Sequence, residues 1–121
     1  MVQVKGLFHA TLPVYDLERA ETFYREVLGI ERHAIPSYFP DRVVFLDLGN
    51  AMVHLVRYND ELSRGDYRAH HLAIEVDDLE AALERVKTAG CRVLNEIIQR
   101  PDMRCFNFLD TEENRIELTQ H

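Results

Sequence analysis

His9, His54, His71 and Glu117 are side chains of the types that bind divalent metals, and their spacing follows a rule. His71 follows His9 by 62 residues (71 − 9) and Glu117 follows His54 by 63 (117 − 54), so they form two pairs separated by nearly one interval. Three imidazoles and one carboxylate on a six-coordinate ion leave two adjacent positions, which suits a small substrate presenting two neighbouring oxygens. An ion bound to both oxygens stabilises an enediolate or similar oxyanion as it forms and eases proton removal from the adjoining carbon. Nitrogen and oxygen donors accept Zn, Ni, Co, Mn or Fe according to supply, so the set implies one divalent ion per site without naming it.

The interval belongs to an internal repeat. His9, Val14, Asp16, Leu17, Glu18 and Ala20 recur as His71, Val76, Asp78, Leu79, Glu80 and Ala82. Further on, Phe45-Leu46-Asp47 aligns with Phe108-Leu109-Asp110, and Val53-His54-Leu55 with Ile116-Glu117-Leu118, at the interval longer by one residue. A repeat of this length means two copies of one supersecondary unit.

Each copy reads as strand, helix and a run of strands. Residues 7–14 alternate as a strand and stop at Asp16, a good N-cap. Leu17, Ala20, Tyr24, Val27 and Leu28 then recur at helical spacing before Gly29. The second copy places Leu72, Ile74 and Val76 on one strand face, Asp78 as cap, and Leu79, Ala82, Leu83, Val86 and Ala89 before Gly90. Strand-forming segments follow at about 30–35, 42–48 and 51–58, and at about 91–97, 103–109 and 114–120. The expected fold is therefore α+β, two tandem βαβββ modules at about 5–60 and 69–121 within one domain, joined by the polar stretch 59–69.

Strand alternation then sorts the candidate ligands. With Leu72, Ile74 and Val76 turned to the helix, His71 takes the opposite face; His9 does likewise, and so do His54 between Val53 and Leu55 and Glu117 between Ile116 and Leu118. Two modules packed about a pseudo-twofold axis would bring His9/His71 and His54/Glu117 to a common point. A lone histidine on a strand is ordinarily a hydrogen-bonded structural residue. Here the repeat names positions 71 and 117 in advance, and a histidine at one with an acid or histidine at the other arises by chance at 6/121 times 27/121, about 1%. A carboxylate among three imidazoles also needs a compensating cation. His33 near an element end, His121 at the terminus, where fraying is expected, and His70, expected on the helix side, read as structural.

Composition bounds the rest. The 121 residues carry 14 basic and 21 acidic side chains, a formal charge of −7, which repels polyphosphate and anionic lipid; no nucleic-acid or membrane partner is expected. No apolar run reaches the roughly 20 residues that span a bilayer, and the opening MVQVKGLFHA lacks a signal-peptide pattern, so a cytoplasmic location is expected. Cys91 and Cys105 have no CxxC spacing and read as small buried hydrophobes.

These residues resemble the vicinal oxygen chelate superfamily, the family of glyoxalases, bleomycin resistance proteins and ring-cleaving dioxygenases. The resemblance rests on His9 leading into Asp16-Leu17-Glu18-Arg19-Ala20, on Phe23-Tyr24-Arg25-Glu26-Val27-Leu28-Gly29, on His71-Leu72-Ala73-Ile74-Glu75-Val76, and on Asn114-Arg115-Ile116-Glu117-Leu118. It implies an incomplete barrel around the metal, metal positions at His9, His54, His71 and Glu117, and commonly a homodimer, with each site built either within one chain or from modules of both chains. It also implies Glu117 as general base, as the corresponding carboxylate is in glyoxalases. His54 departs from the Glu or Gln usual in glyoxalase-like members.

The leading expectation is a glyoxalase-like metalloenzyme performing isomerase or lyase chemistry on a small carbonyl or hydroxyacid compound. Thr11 could donate a hydrogen bond to substrate, and Tyr38, Phe45, Arg57, Tyr58 and Arg104 could shape the cavity. One rival is a non-haem Fe(II) ring-cleaving dioxygenase, since His9, His71 and Glu117 alone form a 2-His-1-carboxylate set. Another is a metal-free module that sequesters a drug or metabolite, which this ligand set disfavours. Fosfomycin modification fits Thr11, two residues after His9, but lacks the basic residues expected after the last glutamate.

Overall fold

The structure, a computed structural model, describes residues 1, 3, 5–58 and 70–121; the joining stretch expected at 59–69 lies outside them. The first module runs β1 (His9–Val14), α1 (Leu17–Thr22) continuing into a π-helical turn (Phe23–Val27), β2 (Glu31–His33), β3 (Val43–Asp47) and β4 (Met52–Arg57). The second runs β5 (Leu72–Glu75), α2 (Leu79–Thr88), β6 (Ile98–Gln99), β7 (Arg104–Leu109) and β8 (Arg115–Gln120). The two four-stranded sheets have orders β1-β4-β3-β2 and β5-β8-β7-β6, with the outermost β1 and β5 parallel to β4 and β8 and the other pairs antiparallel. The α+β architecture of two βαβββ modules is thus present; the two sheets form no closed barrel.

The repeat acts through the same local chemistry in both copies. Asp16 accepts from the Arg19 backbone N–H at 3.0 Å and Asp78 from that of Ala81 at 3.0 Å, so each helix starts on a carboxylate cap. Gly29 (φ 70°) and Gly90 (φ 83°) supply the left-handed residue that stops each helical segment. Two expected elements come out differently. The first helix relaxes into a π turn from Phe23, where the expectation was one α-helix. The strand expected at 91–97 reduces to a bridge between Val93 and Phe108, with β6 displaced to Ile98–Gln99. Asn95 is the physical reason: its side-chain carbonyl takes the Asn107 N–H at 3.2 Å, replacing a backbone acceptor and ending the ladder.

The helix-facing sides of both sheets run into one core. Val44, Leu46, Val53 and Leu55 from the first sheet and Phe106, Phe108, Ile116 and Leu118 from the second are buried together with Leu17, Ala20, Leu79 and Val86 of the helices. Cys105 is buried and Cys91 partly so, as expected of small hydrophobes. A polar seam also joins the modules at the β7–β8 turn. Asp110 accepts from the Tyr24 hydroxyl at 2.5 Å and from the backbone N–H groups of Glu112 and Asn114, each at 2.8 Å. Glu112 accepts from the N–H groups of Tyr15 (3.0 Å) and Asp16 (3.2 Å), and Asn114 donates to the Pro13 carbonyl at 3.1 Å.

Glu113 in that turn holds φ 64°, a left-handed conformation that costs a non-glycine residue about 1 kcal/mol. Glu113→Gly is expected to raise unfolding free energy by about 0.5 kcal/mol, the relief being offset in part by the greater entropy of an unfolded glycine. Urea unfolding of the two proteins checks this, and a lower midpoint for the glycine variant would refute it.

Candidate metal centre

Register carries the candidate ligands onto equivalent places in the two modules. Thr11 lies opposite His54 in the first sheet and Ala73 opposite Glu117 in the second, with His9 two residues earlier on β1 and His71 two residues earlier, immediately ahead of β5. Each pair is close. The His9 and His54 rings stack at a centroid separation of 3.9 Å, 13° from parallel, and His71 Nε2 lies 3.7 Å from Glu117 Oε1. Because both helix-facing sides enter one core, each module turns its ligand-bearing face away from that core. Of the two arrangements open to the four residues, a site within one chain is not formed. Among the described residues, no three His, Cys, Asp or Glu side chains of one chain gather closely enough to hold a metal ion.

His54 is the most informative member of the set. It is buried, 6% exposed, its other ring face is covered by Phe45 at 3.7 Å and 3° from parallel, and its Nε2 meets no hydrogen-bond partner among the described residues. Burial, then the neighbouring charges of His9 and His33, push its pKa below the usual histidine value of 6.5, so the ring is neutral at physiological pH. A buried imidazole nitrogen with nothing to meet costs about 1–3 kcal/mol. A neutral ring nitrogen beside a second imidazole is also what a divalent cation needs from a protein, so these residues fit a metal.

The other expected residues divide by face. Thr11 is exposed beside His54, and Phe45 is the ring against which His54 packs. Tyr38 is 82% exposed in the β2–β3 loop, and half-buried Tyr58 follows β4, its N–H bonded to the Val14 carbonyl at 2.9 Å. Arg57 lies opposite Val14, by alternation on the helix-facing side. Arg104, opposite Gln120, shares that side in the second module: its guanidinium pairs with Glu80 of α2 and donates to Gln120 at 2.9 Å. That ion pair holds the Glu80 carboxyl below its usual range and the Arg104 guanidinium above. His33 is exposed, and its Nδ1 lies 2.8 Å from the Ala34 carbonyl. His70, expected against the helix, is exposed ahead of β5, outside the alternation that would have turned it inward. His121 contacts Glu75 at 3.3 Å.

Two residues escaped sequence reasoning. Phe39 stands edge-on to Phe45 at 5.0 Å, and Asn107 occupies, opposite Glu117, the place that Phe45 holds opposite His54. Antiparallel register would have found Asn107; for Phe39 the only signal is an apolar residue between Pro36 and Pro40. A cleft of about 920 Å³ between the modules borders Glu117, Ala73 and Glu75 on one wall and Ile30, Leu48 and Asp47 on the other, so solvent reaches the Glu117 side. No helix among the described residues is long and apolar enough to cross a membrane.

Comparison with known proteins gives the family of the fold. The chain is 37% identical over 102 residues to an ethylmalonyl-CoA/methylmalonyl-CoA epimerase of Cereibacter sphaeroides, covering 73% of each. It is 35% identical over 101 residues to the mitochondrial methylmalonyl-CoA epimerase of Bos taurus, covering 74% of this chain and 57% of that longer protein. In fold it matches a crystal structure of a glyoxalase family protein from Bacillus anthracis with TM-score 0.82 at 23% identity, covering 100% of this chain and 98% of the other. With residues 6–118 matching the family as a whole, the chain belongs to the Glyoxalase/Bleomycin resistance protein/Dioxygenase superfamily.

Proposed function

We propose that this protein is a divalent-metal-dependent enzyme that moves a proton on a small carbonyl or hydroxyacid compound, isomerase or lyase chemistry, at sites shared between two copies of the chain. Each site would take His9 and His54 from one protomer and the partner's His71 and the partner's Glu117. The observation that carries the reading is the buried Nε2 of His54, without a hydrogen-bond partner among the described residues and stacked beside His9, while the two pairs stay apart in one chain. Membership of a family that includes epimerases supports it.

The bound ion would supply electrophilic stabilisation to two adjacent substrate oxygens. The remaining work falls to the chain. Glu117, beside His71 and reached from the cleft, is the carboxylate that would accept the proton. Thr11, exposed opposite His54, offers a hydroxyl to a substrate oxygen. The ring-cleaving dioxygenase alternative needs only His9, His71 and Glu117 and leaves His54 without a task, so its orphaned nitrogen favours the four-ligand account.

Metal analysis after loading and dialysis is expected to give about one ion per protomer for wild type and less than about a fifth of that for His71→Ala and Glu117→Ala. In heavy water, the loaded wild type should exchange the carbon-bound proton of hydroxyacetone, and Glu117→Gln should not. Equal metal content in all variants, or oxygen consumption with Fe(II) and catechol in place of exchange, would overturn the proposal.

A further inference from the structure

Six rings touch in series across the ligand-bearing face of the first sheet. Phe8 meets His9 edge-on at 5.5 Å, His9 stacks on His54, and His54 stacks on Phe45. Phe39 then stands edge-on to Phe45 at 5.0 Å, and Tyr38 meets Phe39 at 5.0 Å. His54 and Phe45 at the centre are buried, His9 and Phe8 on one side are exposed, and on the other Phe39 is 36% and Tyr38 82% exposed. The β2–β3 loop thus folds Phe39 over Phe45 and leaves an aromatic shelf open to solvent, one ring beyond the metal-type histidines.

The surroundings of the shelf are apolar as well. Register places Pro13, Val43, Met52 and Val56 on the same face, with Thr11, Glu31, His33 and Asp47 as its other polar positions, and none of its strand positions is a lysine or arginine. The corresponding face of the second sheet carries Asn107, Arg115, Glu117 and Thr119 beside Ala73, Cys105 and Leu109, and none of its strand positions bears an aromatic ring. A site assembled from one face of each kind is polarised: oxygens are received on one side and hydrocarbon on the other.

We infer that the substrate carries an aromatic or branched apolar group next to its two oxygens, and that this group lies on Tyr38 and Phe39. Large exposed apolar side chains continuous with a binding site mark where ligand hydrocarbon is desolvated, and aromatic faces accept planar groups by stacking. An anionic tail finds no cation on this face and gains nothing there. The inference rests on the proposed metal site and adds the class of compound that the site selects.

Hydroxamates isolate the contribution, because they present two adjacent oxygens and differ only in their tails. On metal-loaded wild type, calorimetry should show benzohydroxamate binding about 10-fold more tightly than acetohydroxamate, and phosphonoacetohydroxamate no more tightly than acetohydroxamate. In Tyr38→Ser/Phe39→Ser protein the benzo/aceto ratio should fall below about 3 while acetohydroxamate affinity is kept. A thermal melt of that variant confirms that it is folded. A wild-type ratio near one, a ratio unchanged by the double substitution, or preference for the phosphonate overturns the inference while leaving the metal reading intact. No metal-dependent binding of any hydroxamate overturns both.

Discussion

Mixing His9→Ala protein with Glu117→Ala protein is expected to restore metal binding that neither variant has alone. If each site draws one pair from each protomer, a homodimer of either variant has two damaged sites. In the mixed dimer, one site combines both lesions and the other combines the intact His9/His54 pair with an intact His71/Glu117 pair. Random reassortment makes about half the dimers mixed, so about a quarter of wild-type metal content should return, and hydroxyacetone exchange in proportion. The basis is geometric: one chain stacks His9 on His54 with ring centroids 3.9 Å apart and holds His71 3.7 Å from Glu117, but among the described residues no third ligand joins either pair. Denaturing and refolding the mixture ensures exchange of protomers. Metal content remaining near zero in a mixture shown to contain mixed dimers would mean that each site is built within one chain.

The second large effect concerns stability. Asp110→Ala should lower unfolding free energy by about 3 kcal/mol at neutral pH, because it leaves the Tyr24 hydroxyl and the Glu112 and Asn114 N–H groups without their acceptor at the seam between modules. Burial raises the Asp110 carboxyl above its ordinary 3.8, and the hydrogen bonds from Tyr24, Asn114 and Glu112 oppose that rise without cancelling it. A raised carboxyl means that the folded state binds the proton more tightly than the unfolded one. The associated stability is complete below 3.8 and is lost as pH climbs through the folded value. The deficit of Asp110→Ala should therefore widen as pH falls from 7.5 towards 4. Urea titrations at several pH values measure it; a deficit that shrinks on acidification would show that the hydrogen bonds, not burial, control this carboxyl.

Much of the architecture was legible because it is written twice. The caps Asp16 and Asp78, the stops Gly29 and Gly90, and the opposition of Thr11 to His54 and Ala73 to Glu117 all follow from one repeated pattern. The failures are local or long-range. Asn95 interrupts a β-rich segment through a side-chain hydrogen bond that propensity does not register, and the π turn at Phe23–Val27 looks helical to any test of periodicity. The ligand pairs were found from alternation, but their distance within one chain was not, since the direction in which two modules pack depends on a core they share. Phe39 was missed because a loop residue leaves no periodic trace; only the fold brings it to Phe45.

The outermost positions of β1 and β5 would make the proposed chemistry a matter of mass action. β1 bears His9 and β5 follows directly on His71, and among the described residues each has a neighbouring strand on one side alone, which leaves an edge that can template another strand. If two chains meet along them, ion and partner bind to the same event: every gain in one affinity appears equally in the other, and dilution disarms the catalyst as surely as a chelator.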